Sequence, residues 1–399
     1  MRVSNDTFRS AFLAALDAAQ KRVLHTQEQV STGKRVNVPS DDPVAAARVA
    51  HLDASLSRLD QYQSNTVLAR NQLGLEEESL QDVLANLQSI RELALQANNS
   101  TTSDADRRII AGEIRQYRES LLALANTTDA EGSYLFSGYA QTATPFSIGT
   151  GGTVVYNGDQ GQRSVQISDG RFVAVNDSGA EVFQRIPEGN GTFVADVGAG
   201  NTGTGTLGAA TLVDPSAWVA DTYTLRFLTA TTYEVRNSAN ALITSGTFTP
   251  PSQSIAFRGV NVEIDGAPAA NDTFTVRPSG NRDIFATLDD LIASLEAPAA
   301  SAAQRAQLHS DVGQRLVDLD SALSHVTDVR GDIGARLRAL DQQESLNADF
   351  NVHLNTTLSA IRDLDYSEAV SRLSQELFGL DAAQQTFARA QNLSLFKYL

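Results

Sequence analysis

The sequence predicts a mainly α-helical chain whose N- and C-terminal helices pair in a coiled-coil bundle, with an antiparallel β domain inserted in the middle. Three observations carry that prediction. Near the C-terminus Val370, Leu373, Leu377, Leu380, Gln384, Phe387 and Gln391 recur at alternating steps of three and four, a narrow seam that needs a partner helix. Near the N-terminus Phe12, Leu16, Ala19, Val23, Thr26 and Val30 repeat that spacing and supply one. Residues 141–280 hold 18 of the 27 glycines and 7 of the 10 prolines, so helical periodicity stops there and turn chemistry takes over.

Taken in order, the first helix should stop at Gly33, and Pro39 forbids its simple continuation. The next start is marked by Asp42 at the N-cap and Pro43 at the first helical position. Leu52, Leu56, Leu59, Leu80, Val83, Leu87, Ile90 and Ala94 then keep helical spacing up to the polar break NNSTTS. A helix of about 55 residues would be about 80 Å long at 1.5 Å per residue. Ser103 with Asp106 resembles a capping box for a return helix through Ile110, Ile114, Tyr117, Leu121 and Leu124.

In the β region Asn157-Gly158 and Asp169-Gly170 predict hairpin turns, and residues 198–210 read as a loop or linker. YTLRFL, TYEVRN, SIAFRG, VNVEID and DTFTVRP read as strands of an antiparallel domain, with Trp218 plugging its core. Helix resumes at Ile284, and a seam from Val312 to Ile361 is interrupted by the polar Glu344, Asn347 and Asn351, which fix register at a cost in stability. Asp365 with Glu368 caps the terminal helix. The implied domains are 1–42 with 364–399, 43–140 with 281–363, and 141–280.

The net charge of −16 repels phosphate backbones, and no basic stripe offsets it, so nucleic acid is not an expected partner. No run of eighteen apolar residues is present, so no membrane insertion is expected. The start FLAALDAAQ, flanked by Arg9 and interrupted by Asp17, is too short for a signal-peptide core. With no cysteine there is no disulfide, thiolate metal site or cysteine nucleophile. His25, His51, His309, His325 and His353 are scattered without metal-ligand spacing. Asp159, Asp169 and Asp177 sit at turns, where a calcium site is the alternative to ordinary turn chemistry. No catalytic residue, metal or cofactor is expected.

Assembly is what the pattern favours. Two long seams hide one stripe each, and the remaining apolar positions, including Phe8, Phe378, Leu393, Leu395 and Phe396, need neighbours. Repeated heterologous contacts of that kind build rings or filaments. Phe12, Leu16, Val23, Val30, Val370, Leu373, Leu377, Leu380 and Phe387 are the candidate assembly seam.

RVSNDTF, STGKRVNVPSDDPVAA, GSYLFSGYAQTATPF, GDIGARLRAL and QQTFARAQNLSLFKYL, in that order, resemble the flagellin superfamily and, within it, the hook-filament junction family. VVYNGDQGQRSVQISDG and IAFRGVNVEIDGAPAANDTFTV extend the resemblance loosely into the β region. It implies a structural, non-enzymatic bacterial protein exported unfolded, with an export chaperone, through the flagellar export apparatus. Outside the cell it would self-associate as a short helical ring between the hook-side junction protein and the first flagellin subunits. The terminal helices would form the inner tube, the long bundle the next shell and the β domain the outside.

A flagellin or minor filament subunit is the near alternative, against which stand the Pro39 and Pro43 pair and the opening RVSNDTF. Residues 87–100, LQSIRELALQANNS, resemble a flagellin helix that packs between protofilaments and is read by an innate immune receptor, although Ser89 replaces a customary basic residue. The resemblance makes Arg91, Glu92 and Leu93 candidate subunit-packing residues. Two readings from other classes are a stalked β module that binds carbohydrate or protein, and an enzyme housed in the β domain.

Overall fold

The computed structural model describes residues 5–392, with side chains placed for residues 7 and 9–389. Six α-helices, α1 (Asn5–Thr32), α2 (Pro43–Ala97), α3 (Asp104–Ala125), α4 (Ile284–Glu296), α5 (Ala302–Arg362) and α6 (Tyr366–Asn392), enclose the β segments in chain order. The described residues fall into two compact units, one containing the residues up to 64 and from 342 onward, the other residues 65–341.

The helix boundaries follow the expected cap chemistry. Gly33 takes φ +68°, a left-handed conformation open to glycine at little cost, and ends α1. Asp42 accepts from the amides of Val44 and Ala45 at 3.1 and 2.9 Å, satisfying donors that Pro43 does not contribute to. Ser103 Oγ accepts from the Asp106 amide at 3.2 Å and donates to its carboxylate at 2.7 Å. Asp365 accepts from Ser367 and Glu368 at 2.9 and 3.1 Å. Ser103→Ala should therefore lower the stability of the residue 65–341 unit by about 1 kcal/mol, a loss that urea denaturation would register.

In the larger unit one core is built by α2, α3, α4 and α5. Leu73, Leu80, Leu87, Ile90, Ile110, Ile114, Leu121, Leu288, Leu291, Val312, Leu319, Val326 and Ile333 are all buried in it. The short strands β1 (Phe146–Ile148), β2 (Val154–Tyr156), β3 (Ser164–Ser168), β4 (Arg171–Ala174) and β5 (Ile186–Pro187) lie in the same stretch of chain as a π-helical turn at Ala180–Gln184. Phe146, Ile167, Val173, Phe183 and Ile186 from these segments join the helical core. The Phe183 ring meets Phe136 and Phe146 edge-on at 5.3 and 5.4 Å.

A second core lies between two antiparallel sheets. It uses β6 (Phe193–Val197), β7 (Thr206–Leu212), β8 (Tyr223–Thr229), β9 (Thr232–Arg236), β10 (Leu242–Thr247), β11 (Ser252–Phe257), β12 (Val260–Asp265) and β13 (Thr273–Pro278), with β14 (Asn281–Arg282) returning to pair β5. The sheet orders are β10-β9-β8-β13-β6 and β11-β12-β7. Alternate residues such as Tyr223, Leu225 and Phe227, and Val260, Val262 and Ile264, point into the core, as the period of two requires. The β region expected as one domain over 141–280 thus divides between two cores.

Three local expectations change. Asn157-Gly158 does not close a hairpin. The β1–β2 turn lies at residues 149–153, and Asp159 instead accepts from the Tyr139 and Gly161 amides at 2.9 and 2.7 Å, folding the chain back on residues 137–139. Asp169-Gly170 does turn β3 into β4, with Gly170 at φ +69°. The Gly/Thr-rich stretch 198–210 is not all loop, because its second half enters β7, whose small residues pair with β12. Trp218 sits at the margin of the second core, tilted against Phe193 and Tyr223 at 5.6 and 5.8 Å.

Candidate assembly surface

The terminal hairpin is antiparallel. Phe12 stacks on Phe387 with ring centroids 5.0 Å apart at one end, and Gly33 lies against the Tyr366 hydroxyl at the other. The connector locks that second end: the Arg35 amide donates to the Arg362 carbonyl at 2.7 Å, the Leu364 amide to the Gly33 carbonyl at 3.0 Å, and Gln29 Nε2 to the Arg35 carbonyl at 2.7 Å. Asp41 accepts from the Asn37 and Val38 amides, both at 3.0 Å. These backbone hydrogen bonds hold its carboxyl below the ordinary range, so the connector's carboxylate stays charged into mildly acidic solution.

On α1 the candidate residues Phe12, Leu16 and Val30 are half-buried and Val23 is buried, with Ala19, Thr26 and Gln29 completing the stripe. On α6 the structure corrects half of the expected seam. Leu373, Leu380 and Phe387 are half-buried, but the other positions withdrawn from solvent are Ala369, Glu376 and Ala383. Val370 and Leu377 are each 49 % exposed, and Phe378 is 78 % exposed. Two stripes one residue apart overlap on this helix, and the more apolar one was legible first. The inward stripe at 369, 373, 376, 380, 383 and 387 has the same heptad spacing, hidden because small and polar residues occupy half of it. Gln391, Phe8, Leu393, Leu395 and Phe396 lie outside the described side chains.

Burial in the hairpin is thin. Among the described side chains of α1 and α6, only Val23, Thr26, Gln29 and Ala369 are buried, while Leu13, Leu24, Val370, Leu377 and Phe378 stay exposed. Such a pair gains little from apolar burial to offset chain entropy. In dilute protein the amides of residues 12–30 and 370–387 should exchange well before those of α2 and α5 in the 65–341 unit, a contrast that hydrogen exchange with mass spectrometry measures directly. Equal protection in both regions would contradict it.

The candidate packing residues on α2 divide. Arg91 is half-buried and ion-paired with Asp320, Leu93 packs onto the helical core, and Glu92 faces outward beside the exposed Leu95.

Elsewhere the polar groups have structural occupations. Asp177 binds the Arg336 guanidinium at 2.8 and 3.0 Å. His309 bonds Asn98 at 2.8 Å, and His325 bonds the Glu181 carbonyl at 2.8 Å. Among the described residues no group of three or more His, Cys, Asp or Glu is placed to hold a metal ion. No described helix is long and apolar enough to cross a membrane.

Comparison with known proteins gives a consistent set of relatives. Residues 3–141 match the bacterial flagellin N-terminal helical region, residues 316–399 the bacterial flagellin C-terminal helical region, and residues 197–278 the D2-like domain of flagellar hook-associated protein 1. Flagellar hook-associated protein 3 of Salmonella typhimurium is 25 % identical over 398 residues, covering 100 % of this chain and 99 % of that protein. The crystal structure of Xanthomonas campestris FlgL is 38 % identical with a TM-score of 0.72, covering 77 % of this chain and 99 % of that one. A flagellar hook-associated protein-3 structure from Legionella pneumophila is 32 % identical with a TM-score of 0.75, covering 78 % and 98 %.

Proposed function

This chain belongs to the FlgL family of flagellar hook-associated proteins, and from that membership we propose how its architecture serves the flagellum. It is a structural protein of the hook-filament junction. Its terminal helix pairs line a short helical ring of identical subunits. One face of the ring meets the hook-side junction protein and the other the first flagellin subunits. The observation that carries this reading is the exposure of Leu13, Leu24, Val370, Leu377 and Phe378 on a hairpin that buries almost nothing of its own. Apolar rows of that kind mark interaction sites.

The seam residues Phe12, Leu16, Val23, Val30, Leu373, Leu380 and Phe387 then hold each hairpin together, and Val370 and Leu377 serve contacts between hairpins. Glu92 is the member of the α2 trio best exposed for packing between subunits. Assembly outside the cell would then proceed by passage through the flagellar export apparatus as an unfolded chain, with a chaperone covering the terminal segments. The thin burial of α1 and α6 suits that route for the two ends of the chain, which hold little structure of their own. A filament subunit is the second reading. Against it, the phase 1 flagellin of Salmonella naestved aligns with 31 % of this chain, whereas flagellar hook-associated protein 3 of Salmonella typhimurium spans all of it.

Deleting the gene in its host tests the assignment. Hooks without filaments, and flagellin released into the medium, are the expected phenotype. Normal filaments on the deleted strain would contradict a junction role.

A further inference from the structure

The terminal hairpin carries two unlike flanks. On each helix exposed apolar residues follow seam positions: Leu13 follows Phe12, Leu24 follows Val23, Val370 follows Ala369 and Leu377 follows Glu376, whereas Phe378 lies about 100° further round and is not part of this row. Because α1 and α6 run antiparallel, a rotation of about 100° past the seam in the N-to-C sense carries both helices to the same side of the pair. These four residues therefore form one apolar ridge. The opposite flank holds the residues that precede seam positions. There Ala15 and Gly379, with the small seam residues Ala19 and Ala383, floor an elongated cleft of about 520 Å³ between the helices, with Arg22 and Arg372 at its edge. The small side chains leave it open.

Ridge and cleft occupy the same stretch of the hairpin. Pairing Phe12 with Phe387 and Gly33 with Tyr366 sets Leu377 level with Arg22 and Val370 level with Gln29. The ridge thus runs over the levels of residues 13–29, and the cleft lining over the levels of 12–27. Glu28 and Asp381 stand exposed on the ridge side, where Asp17 is matched by Lys21; on the cleft side Arg372 is matched by Glu368 and Glu376 joins the lining, which leaves Arg22 as the excess cation there. A ridge cannot enter the cleft of its own hairpin, which lies behind it.

We propose that the ridge of one subunit seats in the cleft of the next copy of this chain. The contact is heterologous and head-to-tail, with neighbouring hairpins running in the same direction. It rests on the junction reading above and adds its polarity. A contact of this type propagates around a ring, whereas a ridge-to-ridge contact would stop at a dimer.

The absence of cysteine makes the test clean. Flagella are isolated from the host carrying Leu377→Cys, alone or combined in turn with Ala15→Cys, Ala19→Cys, Gly379→Cys or Ala383→Cys, then oxidised and resolved by mass. At least one pair is expected to give a ladder of dimers, trimers and higher multimers of this chain, and no single variant should give dimers. Dimers from Leu377→Cys alone would overturn the proposal in favour of a symmetric contact. Products containing a different flagellar protein would overturn the choice of a second copy. Monomers from every pair, in flagella that contain the variants, would overturn the contact itself. Absence of even the wild-type chain from isolated flagella would instead defeat the junction reading. Should the paired variants not incorporate, Ala19→Leu and its relief by Leu377→Ala is the second measurement: filling the cleft should cut incorporation at least tenfold, and trimming the ridge should restore part of it. No restoration would count against the seat.

Discussion

Leu377→Asp is expected to remove the chain from assembled flagella and leave hooks without filaments, while the unfolding of residues 65–341 stays unchanged. Leu377 is 49 % exposed in the single chain, so an aspartate there remains solvated and costs the subunit little. In the proposed ring the same position would be enclosed by a neighbour. Each subunit then loses about 0.8–1.5 kcal/mol, half the value of a complete leucine burial, and gains an unpaired carboxylate in an apolar contact, which costs several kcal/mol more. The defect repeats at every subunit, so a modest loss per contact becomes failure of the ring. Electron microscopy of the cells, flagellin in the culture medium and urea denaturation of the purified variant read the three consequences separately. Filaments on cells of the variant, or weakened unfolding of the 65–341 unit, would contradict the assignment of Leu377 to contacts between subunits.

That prediction depends on a distinction the sequence hid. Helix positions, caps and the two-sided plan were legible because each is encoded locally: Asp42-Pro43, Ser103 with Asp106 and Asp365 with Glu368 satisfy particular backbone donors, and the structure uses all three. The α6 stripe was legible only as a period. Which of two adjacent stripes faces α1 depends on the shape of the partner, and Ala369, Glu376 and Ala383 carry no apolar signal that outranks Val370 and Leu377. The β region shows the same limit. Strands rich in branched and aromatic residues were found, but β7 and β10 are written in threonine, glycine and alanine or serine, and they are strands because β12 and β9 offer them open edges. The allotment of Phe146, Phe183 and Ile186 to the helical core was likewise invisible, since a buried aromatic does not state what it is buried against. Glu76 posed the sharpest case. Nothing in the run EEES, residues 76–79, sets it apart from its neighbours, yet it is 1 % exposed.

Arg336→Met should cost the residue 65–341 unit about 3–5 kcal/mol, and most of that loss should disappear in the triple variant that adds Glu76→Gln and Asp177→Asn. Asp177 is buried and held by both terminal nitrogens of Arg336. Glu76 accepts from the Asp177 amide at 3.0 Å through one oxygen, and its other oxygen has no hydrogen-bond partner. Removing the guanidinium leaves two buried carboxyls against each other without that cation, with Arg163 the remaining positive group near Glu76. Burial, reinforced by the charge of Asp177, holds the Glu76 carboxyl well above the ordinary glutamate value of 4.5, and the hydrogen bond from the Asp177 amide and the charges of Arg336 and Arg163 oppose this only in part. The folded protein therefore keeps a proton that the unfolded chain has released. The stability contributed by that proton is complete below pH 4.5 and is lost as pH rises toward the folded-state value. Over that window the slope is about 1.4 kcal/mol per pH unit. Glu76→Gln keeps the shape and the neutral form at every pH, so it should flatten the decline and stabilise the unit at neutral and alkaline pH. Urea denaturation of wild type and Glu76→Gln from pH 5 to 9 measures both effects, and parallel curves would show that Glu76 is ionised in the fold.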